Sequence, residues 1–473
     1  MMNHSAKGLM ILLCVTLLAA CSGKKDPPTD LAGTLKIVYG DESFFQSEYG
    51  QFFQAKFPNV DFEVISTDER YQFLAANDFD NGKFLETYQP DIIRIDNLQQ
   101  YAELAEAGVL ADLEALIKTD GYDIGSIDDN VMEFLRKPAG GGLFALAPRF
   151  DNLALYYNID LFNEHGVDPP RDGMTWDEVL ELAGRFPADG DPKERIAGFS
   201  DRTNLSSLVI QMAEAEGLGL YTGLNSELTF RSDKWRGIIG KVVEAGRSGT
   251  LYVPGITEIT DFNPPGESQT NLFITGRSAM TVDYLRLTDD IREMQAKLGK
   301  TFDYGVATAP TGGGTGASGG GVLLYDIFGI NANSPRQSLA WEFIKYAAGE
   351  EYAQLRSKSS PFLLSRSSFM KEKDGVSLEP FYKFRANPDA RPLLGAHYLV
   401  YIAFDQALIR HAGAAFHRAQ NPDRNAELFG QLQLRVSFQF AKSPDSFGQP
   451  VFFQRRTPSF PSIVSMTLRN DAK

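Results

Sequence analysis

Two polar pairs stand where an open α/β sheet would hold a ligand. Asp41-Glu42 follows the apolar run Leu35-Lys36-Ile37-Val38-Tyr39, and Asp96-Asn97 follows Pro90-Asp91-Ile92-Ile93-Arg94-Ile95. Both runs read as short strands, and ligands of parallel sheets sit beyond the carboxyl ends of the strands. Carboxylates placed there accept hydrogen bonds from hydroxyl groups, and the bond is charge-assisted. Asp and Asn just before a helix also serve as N-caps, so both roles stay open for these four residues. Arg149 stands two residues before Asp151, as a second polar contact or as the ion-pair partner of that carboxylate. The run Thr311 to Gly321 (TGGGTGASGGG) ends in Gly319-Gly320-Gly321, where missing side chains let backbone N–H groups approach a ligand. It does not read as a phosphate cradle, because a strand, Val322 to Tyr325, follows it in place of a helix and no P-loop Lys is present. A hydrolase needs only two suitably spaced carboxylates, and 61 acidic residues make such pairs inevitable, so their presence discriminates nothing. No catalytic set, cofactor or metal site is assigned.

The elements that must position these groups alternate. The strand from Leu35 leads into an amphipathic helix with Phe45, Tyr49, Phe52 and Phe53 at helical spacing, up to Phe57-Pro58, and Val60 to Ile65 alternates as a second strand. Asn97 caps a helix over Leu98 to Ala107 that Gly108 closes. Phe144 to Pro148 and Leu153 to Tyr157 are strands flanking Arg149 to Asn152, and Asn158 to His165 is a short helix. Thr175 and Glu178 form a capping box ahead of the next helix, and Asp201 to Gly276 reads mostly helical. Trp176, Trp235 and Trp341 sit on amphipathic faces and read as packing residues. Strand–helix alternation of this kind implies an α/β fold with helical crossovers.

The chain opens MMNHSAKGLMILLCVTLLAAC: Lys7, an apolar run from Leu9 to Ala20, then Cys21. Such a run after a basic start is too short to span a bilayer and reads as an export signal. The only cysteines are Cys14 and Cys21, which leaves no disulfide, thiol nucleophile or Cys-based zinc site for the fold. About 450 residues remain beyond the signal, more than one core normally holds, so two domains are expected. Without Lys7 the balance is 45 basic against 61 acidic residues, a surface that repels nucleic acid.

Leu18-Ala19-Ala20-Cys21 resembles the lipobox of bacterial lipoproteins, in which Cys21 is lipidated and becomes the N-terminus, with Ser22 to Gly33 as a polar tether. Four further segments, in order, resemble one family, the carbohydrate-type extracellular solute-binding proteins of ABC importers (family 1, maltose-binding-protein-like). They are Pro90 to Ile93 continuing to Leu104-Ala105-Glu106-Ala107-Gly108-Val109-Leu110-Ala111-Asp112-Leu113; Ala154 to Asn158 through Leu161-Phe162 to Thr175-Trp176-Asp177-Glu178; Phe273 to Met280 (FITGRSAM); and Gly329 to Ser334 through Ala340-Trp341-Glu342-Phe343-Ile344. The likeness covers roughly Leu35 to Ser368. The tail from Glu372, with His411, His417 and Phe438-Gln439-Phe440, matches much less well, and Tyr398 and Phe404 in it stay unassigned.

The resemblance implies a two-lobed periplasmic-binding-protein fold with a ligand cleft between the lobes. Its expected division is a signal peptide at 1–20, a tether at 21–33, an N-terminal lobe at 34–148 plus 305–352, and a C-terminal lobe at 149–304 plus 353–473. Crossings between lobes are expected near Pro148 to Phe150, near Phe302 to Gly305 and after the Trp341 helix. The resemblance also nominates Asp151 as an acidic ligand contact and puts Asp283 and Tyr284 at the cleft wall. The family often has a Trp shortly afterwards, where this chain has Leu285-Arg286-Leu287. The implied function is capture of a small solute, a sugar or oligosaccharide, by lobe closure, with delivery to ABC permease subunits by a lipid-anchored monomer on the outer face of the cell membrane. The other readings are a ligand-sensing lipoprotein partner of a membrane receptor and a secreted glycoside hydrolase.

Overall fold

The computed structural model describes residues 31–77, 80–189, 195–202, 205–219, 232–252, 271–313 and 321–386. Cys21, Gly319, Gly320 and everything beyond 386, with Tyr398, Phe404, His411 and His417, lie outside the described residues. In chain order the strands are β1 (Ala32–Tyr39), β2 (Asn59–Ser66), β3 (Ile92–Ile95), β4 (Ala145–Leu146), β5 (Arg149–Asp151), β6 (Ala154–Asn158) and β7 (Ala197–Ser200). They continue with β8 (Leu251–Tyr252), β9 (Ser278–Asp283), β10 (Tyr304–Thr308), β11 (Leu323–Tyr325), β12 (Ile327–Ile330) and β13 (Leu363–Leu364).

Two five-stranded sheets result. The first runs β2-β1-β3-β12-β4, with β1 parallel to β2 and β3 and with β12 antiparallel to β3 and β4. The second runs β10-β6-β9-β7-β8, with β6 antiparallel to β9 and β10 and with β7 parallel to β8 and β9. Side chains of β1 alternate between faces, as a sheet covered on both sides requires. Leu35, Ile37 and Tyr39 enter the main core, while Val38 packs with Ile65, Leu74 and Phe84 in a smaller cluster. A second core, around Trp176, Phe199 and Trp235, covers the second sheet, and all three tryptophans are buried.

A third, three-stranded sheet, β11-β5-β13, is built from the segments that pass between the other two. β5 follows β4 of the first sheet and precedes β6 of the second, so the first crossing lies at Arg149–Asp151. The second crossing lies later than the sequence reading places it. All five residues of β10, Tyr304 to Thr308, pair with β6, so residues 305–308 belong with the second sheet and the chain returns through β11. β13 follows the helices Gln337–Ala347 and Glu350–Arg356, and Tyr352 and Ala353 of the latter are buried in the first core, so that lobe extends beyond 352.

Helix ends follow local chemistry. The Asn97 side chain accepts from the Gln100 amide at 2.9 Å, and Thr175 with Glu178 makes the reciprocal capping box. The helix expected from Phe45 departs from regular geometry: Glu42–Phe45 and Gln51–Lys56 are α-helical, but Gln46–Gly50 between them is a π-turn. Such insertions add a residue to a turn and re-aim the side chains near it. Here Glu48 and Tyr49 come to face the crossing strands, where Glu48 bonds Arg149 and Tyr49 bonds Asp326.

Candidate functional site

On the first-sheet side, the carboxyl ends of β1 and β3 lie next to each other. Asp41 is exposed and caps the turn after β1, its Oδ1 accepting from the Phe44 amide at 2.8 Å; Glu42 beside it is exposed. Asp96, just after β3, is held by two guanidinium groups, Arg70 Nη1 at 2.8 Å and Arg94 Nη1 at 3.4 Å. Its backbone amide donates to Gln100 Oε1 at 2.7 Å, while Asn97 is engaged as a helix cap.

Beneath this edge lies a buried charge network that the sequence reading missed. Asp326, between β11 and β12 with φ 54°, accepts from Arg149 Nη2, from Arg94 Nε at 3.1 Å, and from the hydroxyls of Tyr49 (2.8 Å) and Tyr39 (3.2 Å). Glu48 bridges Arg149 Nη1 at 2.7 Å and Arg356 Nη2 at 2.9 Å. Burial works against the Asp326 carboxylate, but Arg149 and Arg94, with hydrogen bonds from Tyr49 and Arg149, hold its pKa below the ordinary value. Arg149, only 3% exposed, is thus the partner of Asp326 and Glu48 and not of Asp151. The sequence carried one signal: Asp326 interrupts an apolar strand run, and a buried charge in such a run requires a partner.

On the second-sheet side the expected residues gather. Asp151, at the end of β5, is 2% exposed and accepts from the amides of Asn152 (3.1 Å) and Leu285 (3.3 Å). Burial pushes its pKa up to about 8 despite those bonds. Asp283 ends β9, pairs with Arg202 Nε at 3.1 Å and accepts from the Tyr284 amide at 2.8 Å. Burial pushes it up to about 7, with Arg202 pulling the other way. The Tyr284 phenol is raised by burial and by the nearby charges of Asp151, Tyr325, Glu214 and Asp283, so these groups share one neighbourhood. Its carbonyl accepts from the Tyr156 hydroxyl at 3.0 Å, which fixes the backbone there. Gly321 sits at φ 118°, and a Cβ there would meet Leu153 Cδ1 at 2.6 Å, so only glycine fits.

Glu214 is the second omission. It lies in the apolar helix Leu205–Ala215, half-buried, and its carboxyl makes no hydrogen bond or ion pair among the described residues. Burial alone pushes its pKa up to about 7. Ser207, Gln211 and Glu214 recur at helical spacing in this helix, whose other residues are apolar except Ser206, which is the legible signal. Gln211 Oε1 is also buried, with no hydrogen-bond partner among the described residues. The wall is therefore rich in acceptors; one guanidinium beside it, Arg202, is engaged by Asp283 and by Asp290 at 3.4 Å, while Arg286, two residues after Tyr284, is exposed with no ion pair among the described residues. A groove of about 510 Å³ between the helices Trp176–Ala183 and Asp233–Arg247 shares no residue with either wall.

A family model described as bacterial extracellular solute-binding protein matches residues 38–354. The sn-glycerol-3-phosphate-binding periplasmic protein UgpB of Brucella abortus is 20% identical over 331 residues, 64% of this chain and 71% of that protein. Among solved structures, a sugar transporter protein from Rhizobium etli in an open conformation aligns with a TM-score of 0.61 at 20% identity, over 82% of this chain and 100% of its own. UgpB from Mycobacterium tuberculosis, in complex with glycerophosphocholine, aligns with a TM-score of 0.54 at 20% identity, over 82% and 97%. The shared architecture is the two-lobed fold.

Proposed function

The chain belongs to the bacterial extracellular solute-binding proteins, the binding components of ABC importers, and from that premise we propose that it captures an uncharged sugar or oligosaccharide between its lobes. The observation that carries the choice is the second wall, where Asp151, Asp283, Glu214 and Tyr284 gather while Arg202 is already paired. Such a wall presents carboxyl oxygens to hydroxyl groups, and the Arg202 guanidinium that could pair with a phosphate is engaged. It therefore supports the sugar-binding relatives' ligand class over the glycerol-phosphate class. Asp41, Glu42, Asp96 and Asn97 are the polar contacts proposed on the facing lobe, and Gly320 and Gly321 the backbone ones.

The same reading makes the protein a binder without turnover, working as a monomer and delivering its cargo to permease subunits. Cys21 carries the lipid that keeps it at the outer face of the membrane. Among the described residues, no helix is long and apolar enough to cross a membrane. The test is calorimetric titration of the full chain with an oligosaccharide panel and with sn-glycerol-3-phosphate, followed by analysis of the recovered sugar. Micromolar binding of an intact oligosaccharide is expected. Binding of glycerol phosphate alone overturns the sugar assignment, and cleaved sugar overturns the binder.

A further inference from the structure

Resting on that reading, we infer that Phe44 is the apolar platform on which the ring face of the bound sugar lies, presented from the first lobe. Phe44 is 48% exposed, the most exposed aromatic residue among those described, although its neighbour Phe45 is fully buried. Consecutive helix positions point in different directions, and here Phe45 turns inward and Phe44 outward. An isolated surface phenylalanine needs no explanation by itself. This one is held in place and has a particular address.

Its ring lies 5.6 Å from Tyr39, tilted by 34°, and Tyr39 is in turn fixed by Phe45 at 5.5 Å, by Arg94 over its ring at 5.5 Å and by its hydroxyl on Asp326. Gly40 lies against the ring: a Cβ there would stand 3.3 Å from Phe44 Cδ1. The Phe44 amide is fixed by Asp41, and its carbonyl accepts from Ser47 Oγ at 2.9 Å. The side chain thus loses little freedom when something covers it, which is what preorganisation contributes to affinity. Its address is the carboxyl end of β1, beside Asp41 and Glu42, with Asp96 just beyond the adjoining strand β3. An aromatic face flanked by carboxylate acceptors matches a pyranose, whose C–H face is apolar and whose rim carries hydroxyl donors.

Two variants test this. Phe44→Trp adds an indole at the platform to a chain whose native Trp176, Trp235 and Trp341 are all buried, so the new emission reports on position 44. A saturating oligosaccharide from the panel is expected to shift that emission to the blue. Phe44→Ala is expected to weaken oligosaccharide binding about ten- to a hundredfold with the melting temperature unchanged, and Phe44→Tyr to restore it to within about threefold. Full affinity in the alanine variant with an unmoved indole emission overturns the platform while leaving the sugar reading intact. No sugar binding by the wild-type chain overturns both.

Discussion

Asp151 and Asp283 are carboxyls that the folded protein keeps protonated well above their usual range, because burial in each case outweighs the bonds and charges that favour the anion. A carboxyl with a raised pKa binds more protons folded than unfolded, so its contribution to stability is whole below the unfolded-chain value of about 4. It is lost as the pH rises through about 7 and about 8, the folded values of Asp283 and Asp151. Each proton released steepens that loss by at most about 1.4 kcal/mol per pH unit. Thermal melts should therefore show a lower Tm at pH 8.5 than at pH 5.5. Asp151→Asn, whose amide oxygen can still accept from Asn152 and Leu285, should shrink that drop; an equal drop in the variant would sink the assignment. Glu214 bears on binding. Its ionised form is the better acceptor, so sugar affinity should rise as pH passes about 7. Glu214→Gln should cost about 1.5–3 kcal/mol of binding at pH 8 and flatten the pH profile in calorimetry. Unchanged affinity at pH 8 would remove Glu214 from the wall.

Among the elements, the connecting sheet and the π-turn beside it bear most directly on function. Asp326 ties β5, the β11–β12 junction, β1, β3 and the π-turn into one buried network. Removing the charge leaves Arg149 buried against Glu48 alone, and breaking a buried pair in this way typically costs about 3–5 kcal/mol. Asp326→Asn is the suitable variant, since asparagine tolerates the left-handed φ of 54° and isolates the charge from backbone strain. Its urea midpoint should fall by that amount divided by the m-value, and a midpoint within error of wild type would show the network to be dispensable. Local elements were largely legible. β1, β3, the Asn97 cap and the Thr175 capping box follow from residue type and spacing within a few positions. What escaped depends on pairing across distance. Nothing local to Tyr304–Thr308 says that it pairs with β6, almost 150 residues earlier, so the second crossing was misplaced. The regular spacing of Phe45, Tyr49 and Phe53 conceals the π-turn, which brings Glu48 onto Arg149. At the site, Asp151, Asp283 and Tyr284 could be named from the family's order of segments, but whether each faces solvent or the interior is decided by tertiary burial.

For the whole molecule, the three crossings make one antiparallel sheet between two five-stranded sheets, and the main core continues from the first sheet to Tyr156 and Leu285 on the second-sheet side. The first-lobe half of the joint is clamped by Arg149, Asp326, Glu48 and Arg356, and the second-lobe half by the Leu285 amide on Asp151, so the proposed closure would have to turn about the strands between them. A ligand shifts the lobes toward closure only by contacts present when both touch it. Binding at one lobe alone would leave the equilibrium between open and closed forms unchanged, however tight it was. The panel sugar that binds should therefore both compact and stabilise the chain. Small-angle scattering should show a smaller radius of gyration at saturation. At a hundredfold excess over Kd the folded state should gain about 2.7 kcal/mol. Stabilisation without compaction would place the ligand on a single lobe and remove closure from the mechanism. Compaction in the wild type that is lost in Glu214→Gln at matched saturation would instead assign the closing contact to the second wall, since the first wall is intact in that variant.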